Sequence, residues 1–176
     1  MKMLLNGLMM SLASTLLITL LSLGITELYA EVPETQQVTS NEQSRIQQSQ
    51  NELIELYFAA AKSGNNEVIQ EFLNNGFPVD IRNGAGYTAL IIATYYGHQA
   101  VVSSLLEHGA DRCLRDRKGN TALMGAIFKL EWSIAKQLRK IDCDVGMEQT
   151  GHKTVAAFAK VVGQDENLQK LIHGQL

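Results

Sequence analysis

The sequence lacks a surplus of positive charge. Its 176 residues contain 15 lysines and arginines against 18 aspartates and glutamates, which gives a formal net charge of -3. A nucleic-acid-binding protein normally shows a clear basic excess, so we predict no nucleic-acid partner. Attraction to a charged partner must come from local patches. Proline is also scarce, at Pro33 and Pro78 only, so long helices are not interrupted.

The motifs of familiar catalytic and metal sites are missing from the sequence. The four histidines and two cysteines show no metal-ligand spacing such as H-x-x-x-H or C-x-x-C. There is no Gly-rich phosphate loop and no G-x-S-x-G motif. We therefore predict no catalytic residue, no metal and no cofactor. The alternative, an enzyme or a small-molecule binder, would need a deep pocket with perturbed acids or bases.

The N-terminal segment, residues 1–30, is typical of a secretion signal. Lys2 supplies a short positive region, residues 3–26 carry no charge, and Ala30 offers a small residue at a cleavage site. No cysteine follows the apolar run, which argues against a lipoprotein anchor. An uncleaved membrane anchor through residues 3–26 is the alternative, because about 20 apolar residues can cross a bilayer. Either reading predicts a protein that works outside the cytoplasm, and N-terminal sequencing would decide between them.

Residues 31–50 form a polar, Gln-rich stretch between this segment and the rest of the chain. We expect its first half to be a flexible linker. Ser40 followed by Gln43 could form a capping box and open a helix that runs into the apolar residues from Leu53.

The remainder of the chain, residues 51–176, is built on an internal repeat. Alanines recur at positions 60, 93, 126 and 159, and threonines at 88, 121 and 154. Gly64, Gly97 and Gly163 keep the same phase, with Leu130 in the missing position. A period of about 33 residues predicts a stacked solenoid, in which one unit cannot bury its own apolar face. Within each unit, apolar residues at helical spacing predict two helices, the second ending at a left-handed glycine such as Gly76 or Gly109.

The segment from Gly86 to Asp111 resembles the ankyrin repeat. It follows the family pattern G-x-T-P-L-x-x-A-x-x-x-G-H-x-x-V-V-x-x-L-L-x-x-G-A-D almost throughout. The resemblance implies an all-α solenoid of about four helix-turn-helix units with short β-turn loops, preceded by the signal helix. We divide it into repeats 51–82, 83–115, 116–148 and 149–173. His98 takes the Gly-His position of the family, so we interpret it as structural.

Several residues depart from the family pattern. The family's helix-opening Pro is replaced by Ala89, Ala122 and Val155, and the following His by Ile91, Met124 and Ala157. The Thr–His hydrogen bonds that the family forms between repeats are therefore absent, which predicts a stack held more by apolar packing. The third repeat has Asp142-Cys143-Asp144 in place of Gly-Ala-Asp, so we expect the join between the third and fourth repeats to be the weak point.

The two cysteines, Cys113 and Cys143, could pair in an oxidising compartment. Their repeat positions differ, however, because Cys143 aligns with Ala110 and Cys113 lies beyond it. Adjacent repeats lie about 10 Å apart, whereas a disulfide needs Cα atoms within roughly 7 Å. We therefore favour free thiols over a bridge.

The resemblance also implies where a partner protein binds, on the turn tips and the exposed face of the first helices. The turn-tip positions are Arg82, Ala85, Tyr87, Arg115, Arg117, Lys118, Asn120, Glu148 and Lys153. The helix positions are Lys62, Ser63, Tyr95, Tyr96, Phe128 and Lys129. Most of these side chains are basic or aromatic, and we expect them to bind an acidic protein surface, although polar tips can also serve solubility alone.

The chain is similar to short exported ankyrin-repeat proteins of bacteria. That similarity implies a monomeric binding scaffold in the periplasm or outside the cell, which supports or neutralises another protein. A toxin-immunity protein and a secreted host-directed effector are the alternatives within this class. A membrane-anchored structural protein is a further alternative.

Overall fold

The computed structural model describes residues 34–145 and 153–176, with side chains from Ser40 onward. The predicted signal segment and residues 146–152 lie outside the described residues. The chain divides into two units, residues 1–49 and 50–176, with the boundary inside the first helix. Of the first unit, the described part is helical, and its side chains from Ser40 to Ser49 are exposed. The second unit contains the repeats.

The described residues form eight α-helices and no strand, as the all-α expectation requires. They are α1 (Glu34–Ser63), α2 (Asn66–Asn74), α3 (Ala89–Tyr95), α4 (Gln99–Glu107), α5 (Ala122–Lys129), α6 (Trp132–Leu138), α7 (Val155–Val161) and α8 (Asp165–Ile172). A single antiparallel bridge between Arg115 and Thr121 closes one of the described loops.

Helix α1 begins earlier than the sequence predicts. It starts at Glu34, so Ser40 lies inside the helix and is not its N-terminal cap. A helix does run into Leu53, as expected. It also includes residues 34–40, where we expected a flexible linker. After Pro33 the segment contains no proline or glycine, and its glutamines and glutamates have good helix propensity, so nothing ends the helix before Ser63.

The threonine at the start of each first helix acts as its N-cap. The hydroxyl oxygens of Thr88 and Thr121 accept hydrogen bonds from the backbone N–H three residues later, both at 3.3 Å. Thr154 does the same at 3.1 Å. Each hydroxyl satisfies a backbone donor that the helix itself leaves unpaired. The threonine period therefore marks the start of α3, α5 and α7.

The helices of the second unit stack in two rows. α3, α5 and α7 contact one another in sequence, as do α2, α4 and α6, and each of α3, α5 and α7 packs on the helix that follows it. The periodic alanines are at most 4% exposed. A larger side chain there would push the rows apart. The predicted solenoid is confirmed for the described residues.

Glycine ends the helices where the sequence predicts it. Gly76 and Gly109 have φ of 78° and 84°, in the left-handed region that glycine adopts without strain. Two of the three departures at the family's His position are apolar core, because Ile91 is 7% and Met124 0% exposed, whereas Ala157 is exposed. This supports the expected reliance on apolar packing between the repeats.

Candidate functional site

A groove with a volume of about 670 Å³ lies along the first helices of the repeats. Its apolar and aromatic side chains are Ile91, Ile92, Tyr95, Tyr96, Phe128 and Phe158. Its polar side chains come mainly from the turn tips, with Tyr87 beside them. We call this surface the groove.

The exposed rings of the groove follow from the repeat phase. Tyr95 and Phe128 lie one repeat period apart and are 42% and 54% exposed. In a solenoid, equivalent positions point to the same face, so each repeat adds one outward side chain at this position. The same phase places Lys62 beside Tyr95 and Phe128 in the groove. Large apolar side chains that stay exposed in this way are typical of an interaction surface.

Tyr95 and Tyr96 form an edge-to-face pair with ring centroids 5.5 Å apart. The ammonium of Lys62 lies 5.7 Å from the Tyr96 ring centroid, and that of Lys129 lies 4.8 Å from the Tyr95 centroid. These are cation–π distances, which hold the lysine side chains beside the rings. The tyrosine pair is thus flanked by a cation from the preceding repeat and one from the following repeat.

The turn tips are held in place by two polar side chains at equivalent positions. The Asn83 side-chain oxygen accepts hydrogen bonds from the N–H of Ala85 and Tyr87, both at 3.0 Å. Asp116 accepts from the N–H of Lys118 at 2.8 Å and of Asn120 at 2.9 Å. Asx side chains commonly stabilise turns in this manner. Tyr87, Lys118 and Asn120 consequently lie along the groove on ordered turns.

The family model for ankyrin repeats (three copies) matches residues 56–149. The chain belongs to the ankyrin-repeat family.

Individual ankyrin-repeat relatives are similar over shorter stretches. Protein HOS4 of Saccharomyces cerevisiae is 43% identical over 38% of this chain and 6% of its own length. Ankyrin repeat-containing protein P1E11.10 of Schizosaccharomyces pombe is 34% identical over 65% of this chain and 54% of its own length. Protein fem-1 homolog A-like of Mus musculus is 33% identical over 55% of this chain and 15% of its own length. The chain therefore spans about half or less of these relatives.

Ankyrin repeats generally mediate protein–protein interactions, and ankyrin-repeat proteins are typically non-enzymatic scaffolds. Among the described residues, no group of His, Cys, Asp or Glu is arranged to hold a metal ion. In the same ranges, no helix is long and apolar enough to span a membrane.

Two predicted binding residues of this ankyrin stack instead link its repeats. The Arg115 guanidinium donates to the carbonyl oxygens of Gly119 at 2.8 Å and Lys153 at 2.9 Å, and it pairs with Asp144 at 3.3 Å. Its side chain is only 12% exposed. Because these bonds occupy the guanidinium, we assign Arg115 to the join between repeats.

Arg82 occupies the equivalent position one repeat earlier and makes equivalent bonds. It donates to the Gly86 carbonyl at 3.2 Å and across the repeat boundary to the Arg115 carbonyl at 2.6 Å. Arg82 and Arg115, one repeat period apart, therefore each bind a backbone carbonyl of the next loop. The sequence pattern alone did not reveal these bonds.

Ser63, Ala85 and Lys153 do not line the groove, and the other predicted positions divide into three groups. Tyr87, Tyr95, Tyr96, Lys118, Asn120, Phe128 and Lys62 line the groove, and Lys129 lies on the Tyr95 ring. Arg117 is exposed but packs its side chain near Gly86 and does not line the groove. Glu148 lies outside the described residues.

Sequence reasoning missed one apolar track of the groove. Ile92, Gly125 and Phe158 follow one another at the repeat period, and all line it. The period itself could have revealed them, because they lie in the same phase three positions before Tyr95, Phe128 and Val161. Gly125 leaves space between the two larger side chains, since a Cβ there would meet only the Thr94 methyl group, at 3.9 Å.

Cys113 and Cys143 form a disulfide, with Cα atoms 5.1 Å apart. The expectation of free thiols is therefore wrong. The spacing of about 10 Å applies to equivalent positions of neighbouring repeats. The two cysteines have a sequence separation of 30, which is shorter than the repeat period, and the loop after Ala110 approaches the next repeat.

The Cys113–Cys143 disulfide lies where the preceding repeat boundary has a hydrogen bond. There the Asp80 carboxylate accepts from the Asp111 N–H at 3.1 Å, and Cys113 lies one repeat period after Asp80. Asp144 adds a second link, because it accepts from the Val155 N–H at 2.6 Å. The disulfide and the Arg115–Asp144 ion pair both join the second repeat to the third. The expected weakness of the join between the third and fourth repeats therefore stays a prediction.

His98 has the structural role that its family position implies. Its Nε2 lies 2.8 Å from the Lys62 carbonyl oxygen of the preceding repeat, and its ring packs on Gly64. A Cβ at Gly64 would come within 2.6 Å of this ring. The glycine therefore allows the histidine to lie across the repeat boundary, directly beside the Lys62 backbone.

Two groups with shifted pKa values lie away from the groove. Burial raises the pKa of Tyr57 far above its usual value, and the nearby Asp80 charge adds to the increase. Burial also raises the pKa of Asp80, while the hydrogen bond from Asp111 opposes the rise. Tyr57 packs on Phe72 and Phe77 within the first repeat, and Asp80 links the first repeat to the second through the Asp111 N–H.

Proposed function

We propose that this chain is an exported, non-catalytic scaffold that binds an acidic surface of another protein in the groove. The observation that carries this proposal is the exposed tyrosine pair with a lysine from each neighbouring repeat on its rings. Aromatic side chains are frequent energetic anchors of protein interfaces, and lysines beside them favour a partner of opposite charge.

The groove is better suited to binding a surface than to catalysis. It lies open along successive repeats, whereas catalysis generally benefits from a site that excludes water. The carboxylate that lines the groove belongs to Asp116. It accepts hydrogen bonds from Lys118 and Asn120 of its own turn, which it stabilises. The groove side chains thus offer contacts to a partner and no evident nucleophile–base pair.

Partner binding can be tested by removing the anchor. We expect the Tyr95→Ala/Lys129→Ala variant to bind the partner about 30-fold more weakly, equivalent to about 2 kcal/mol, on typical hot-spot values. The measurement is affinity capture from the envelope or culture medium with the full chain, followed by titration of the identified partner.

Lys170→Ala is the matched control, because Lys170 is an exposed lysine of α8 that does not line the groove. It should bind as the unmodified protein does. Equal partner affinity of the groove variant and this control would refute the proposed function.

The disulfide supports the proposed location outside the cytoplasm. Cysteine pairs persist in secreted and periplasmic proteins, whereas reducing systems keep cytosolic thiols free. Together with the signal-like residues 1–30, this favours export into the periplasm or the medium of a bacterial cell. Fractionation with N-terminal sequencing and a thiol count would test it, and a reduced protein in the cytosolic fraction would contradict export.

A further inference from the structure

Lys62, Tyr95, Tyr96 and Lys129 form a compact set that we call the lysine–tyrosine cassette. Successive distances along it are 5.7 Å from the Lys62 ammonium to the Tyr96 centroid, 5.5 Å between the ring centroids and 4.8 Å to the Lys129 ammonium. The two ammonium nitrogens are farthest apart if all three steps lie in line. The combined length of the steps is therefore an upper bound on the distance between the two ammonium nitrogens.

Both ammonium groups remain available to an external anion. Within residues 34–145 and 153–176, the one ion pair is Arg115–Asp144. The acidic side chains near the cassette have other contacts: Asp116 accepts hydrogen bonds from its own turn, and Glu131 packs on Gly97. A lysine ammonium has three donors, and contact with a ring face leaves them free for an acceptor such as a carboxylate.

An extended peptide has a matching arrangement of side chains. Its residues i, i+2 and i+4 point to the same side, and i and i+4 lie about 13 Å apart at about 3.3 Å per residue. This span lies within the upper bound, so the distances permit acidic residues at i and i+4 to contact one lysine each. The residue at i+2 would lie over the tyrosine pair, which favours an apolar side chain there.

Resting on the proposed function, we infer that the groove recognises an extended segment of its partner with the pattern acid-x-apolar-x-acid. Single-stranded nucleic acid could also combine stacking with contacts to cations. Nucleic acid carries a negative charge at every phosphate and normally requires a basic excess, which this chain lacks, whereas the peptide presents two acidic groups to two lysines.

The test uses the full chain and fluorescein-labelled synthetic peptides of one length, with binding measured by fluorescence anisotropy. One peptide carries glutamates at i and i+4 around a central leucine. The second carries them at i and i+3, which point to opposite sides of an extended chain. We expect the first to bind about fivefold more tightly, because the second can engage only one lysine.

Reversing the charge of one lysine and of one peptide residue together tests which lysine contacts which end of the peptide. Lys62→Glu should weaken the i, i+4 peptide, and a peptide with lysine at the matching end should restore binding. Lys129→Glu should show the same behaviour with the opposite end of the peptide. Lys170→Glu, which lies outside the groove, should change neither affinity. A merely structural effect of Lys62→Glu would not be rescued by a peptide of reversed charge.

Three outcomes would overturn the inference. They are equal affinity for the two spacings, tighter binding of a peptide with acids seven apart in a helical sequence, and tighter binding of oligothymidylate than of any peptide. If these occur while Tyr95→Ala/Lys129→Ala still loses the partner, the recognition pattern is wrong and the proposed function stands. If that variant keeps the partner, the proposed function fails as well.

Discussion

Leu130 has a positive φ of 63°, and within the described residues it is the one non-glycine residue that does. It ends α5 where the equivalent residues Gly64 and Gly97 end the earlier first helices. A side chain in the left-handed conformation costs about 1–2 kcal/mol, and this leucine is 54% exposed, so it recovers little by burial.

Leu130→Gly should therefore stabilise the protein by about 1 kcal/mol and raise the melting temperature by about 3 °C. Circular dichroism on heating measures the effect. Leu130→Ala is the control, because alanine keeps the Cβ that causes the strain, and it should not give the same gain. A lower melting temperature for Leu130→Gly would show that the leucine contacts outweigh the strain.

Asp80 predicts a particular dependence of stability on pH. Burial and the Asp111 charge raise the pKa of Asp80 above 3.8 in the folded state. A group whose folded pKa is raised stabilises the protein below its unfolded pKa, and that contribution is lost as the pH rises through the folded pKa.

Asp80→Asn does not titrate, so its free energy of unfolding relative to the unmodified protein should increase as the pH rises from about 3.5, and then level off. Urea unfolding at several pH values measures this difference. Asp111→Asn should shrink the dependence, because it removes the like charge. A difference that is constant with pH would contradict the raised pKa.

At the scale of elements, a threonine begins each first helix, and its hydroxyl satisfies a backbone donor. Thr121 is the most informative of these caps, because it is 1% exposed at the start of the central helix α5. The residue therefore contributes through both its hydroxyl and its methyl group.

Thr121→Val keeps the volume and removes the cap, and it should destabilise the fold by about 1 kcal/mol. Thr121→Ser keeps the hydroxyl oxygen that accepts from Met124 and should cost less. Chemical denaturation distinguishes the two variants. A larger loss for serine would mean that the buried methyl group matters more than the hydrogen bond.

At the scale of the whole molecule, each repeat is stabilised mainly by its neighbours, so a solenoid can open locally. The Cys113–Cys143 bond closes a loop that contains α5 and α6, and it joins the second repeat to the third. In the chain-entropy account, a loop of this length contributes about 3–4 kcal/mol by restricting the unfolded state.

Cys113→Ser/Cys143→Ser should therefore accelerate amide exchange most in α5–α8 and least in α2 and α3. Hydrogen-exchange mass spectrometry resolves these segments. Reduction of the unmodified protein with dithiothreitol should reproduce the pattern. Uniform acceleration throughout the stack would show instead that the repeats unfold as one cooperative unit.

The repeat period was sufficient to predict the stacked helices, and the resemblance to the ankyrin repeat placed Tyr95 and Phe128 on an exposed face. These follow from the sequence because a stacked repeat places equivalent residues in equivalent environments. The start of α1 was less accurate, since the polar residues after Pro33 suit both a linker and an exposed helix.

The sequence by itself determined what recurs: an ankyrin solenoid, its buried alanines and an aromatic face with lysines beside it. Only the tertiary structure decided which contacts cross between repeats at other separations. The disulfide joins residues 30 apart, Asp80 reaches Asp111 across 31, and Arg115 reaches Lys153 across 38. These separations depend on how each loop crosses to the next repeat, and a repeat pattern carries no information about that path.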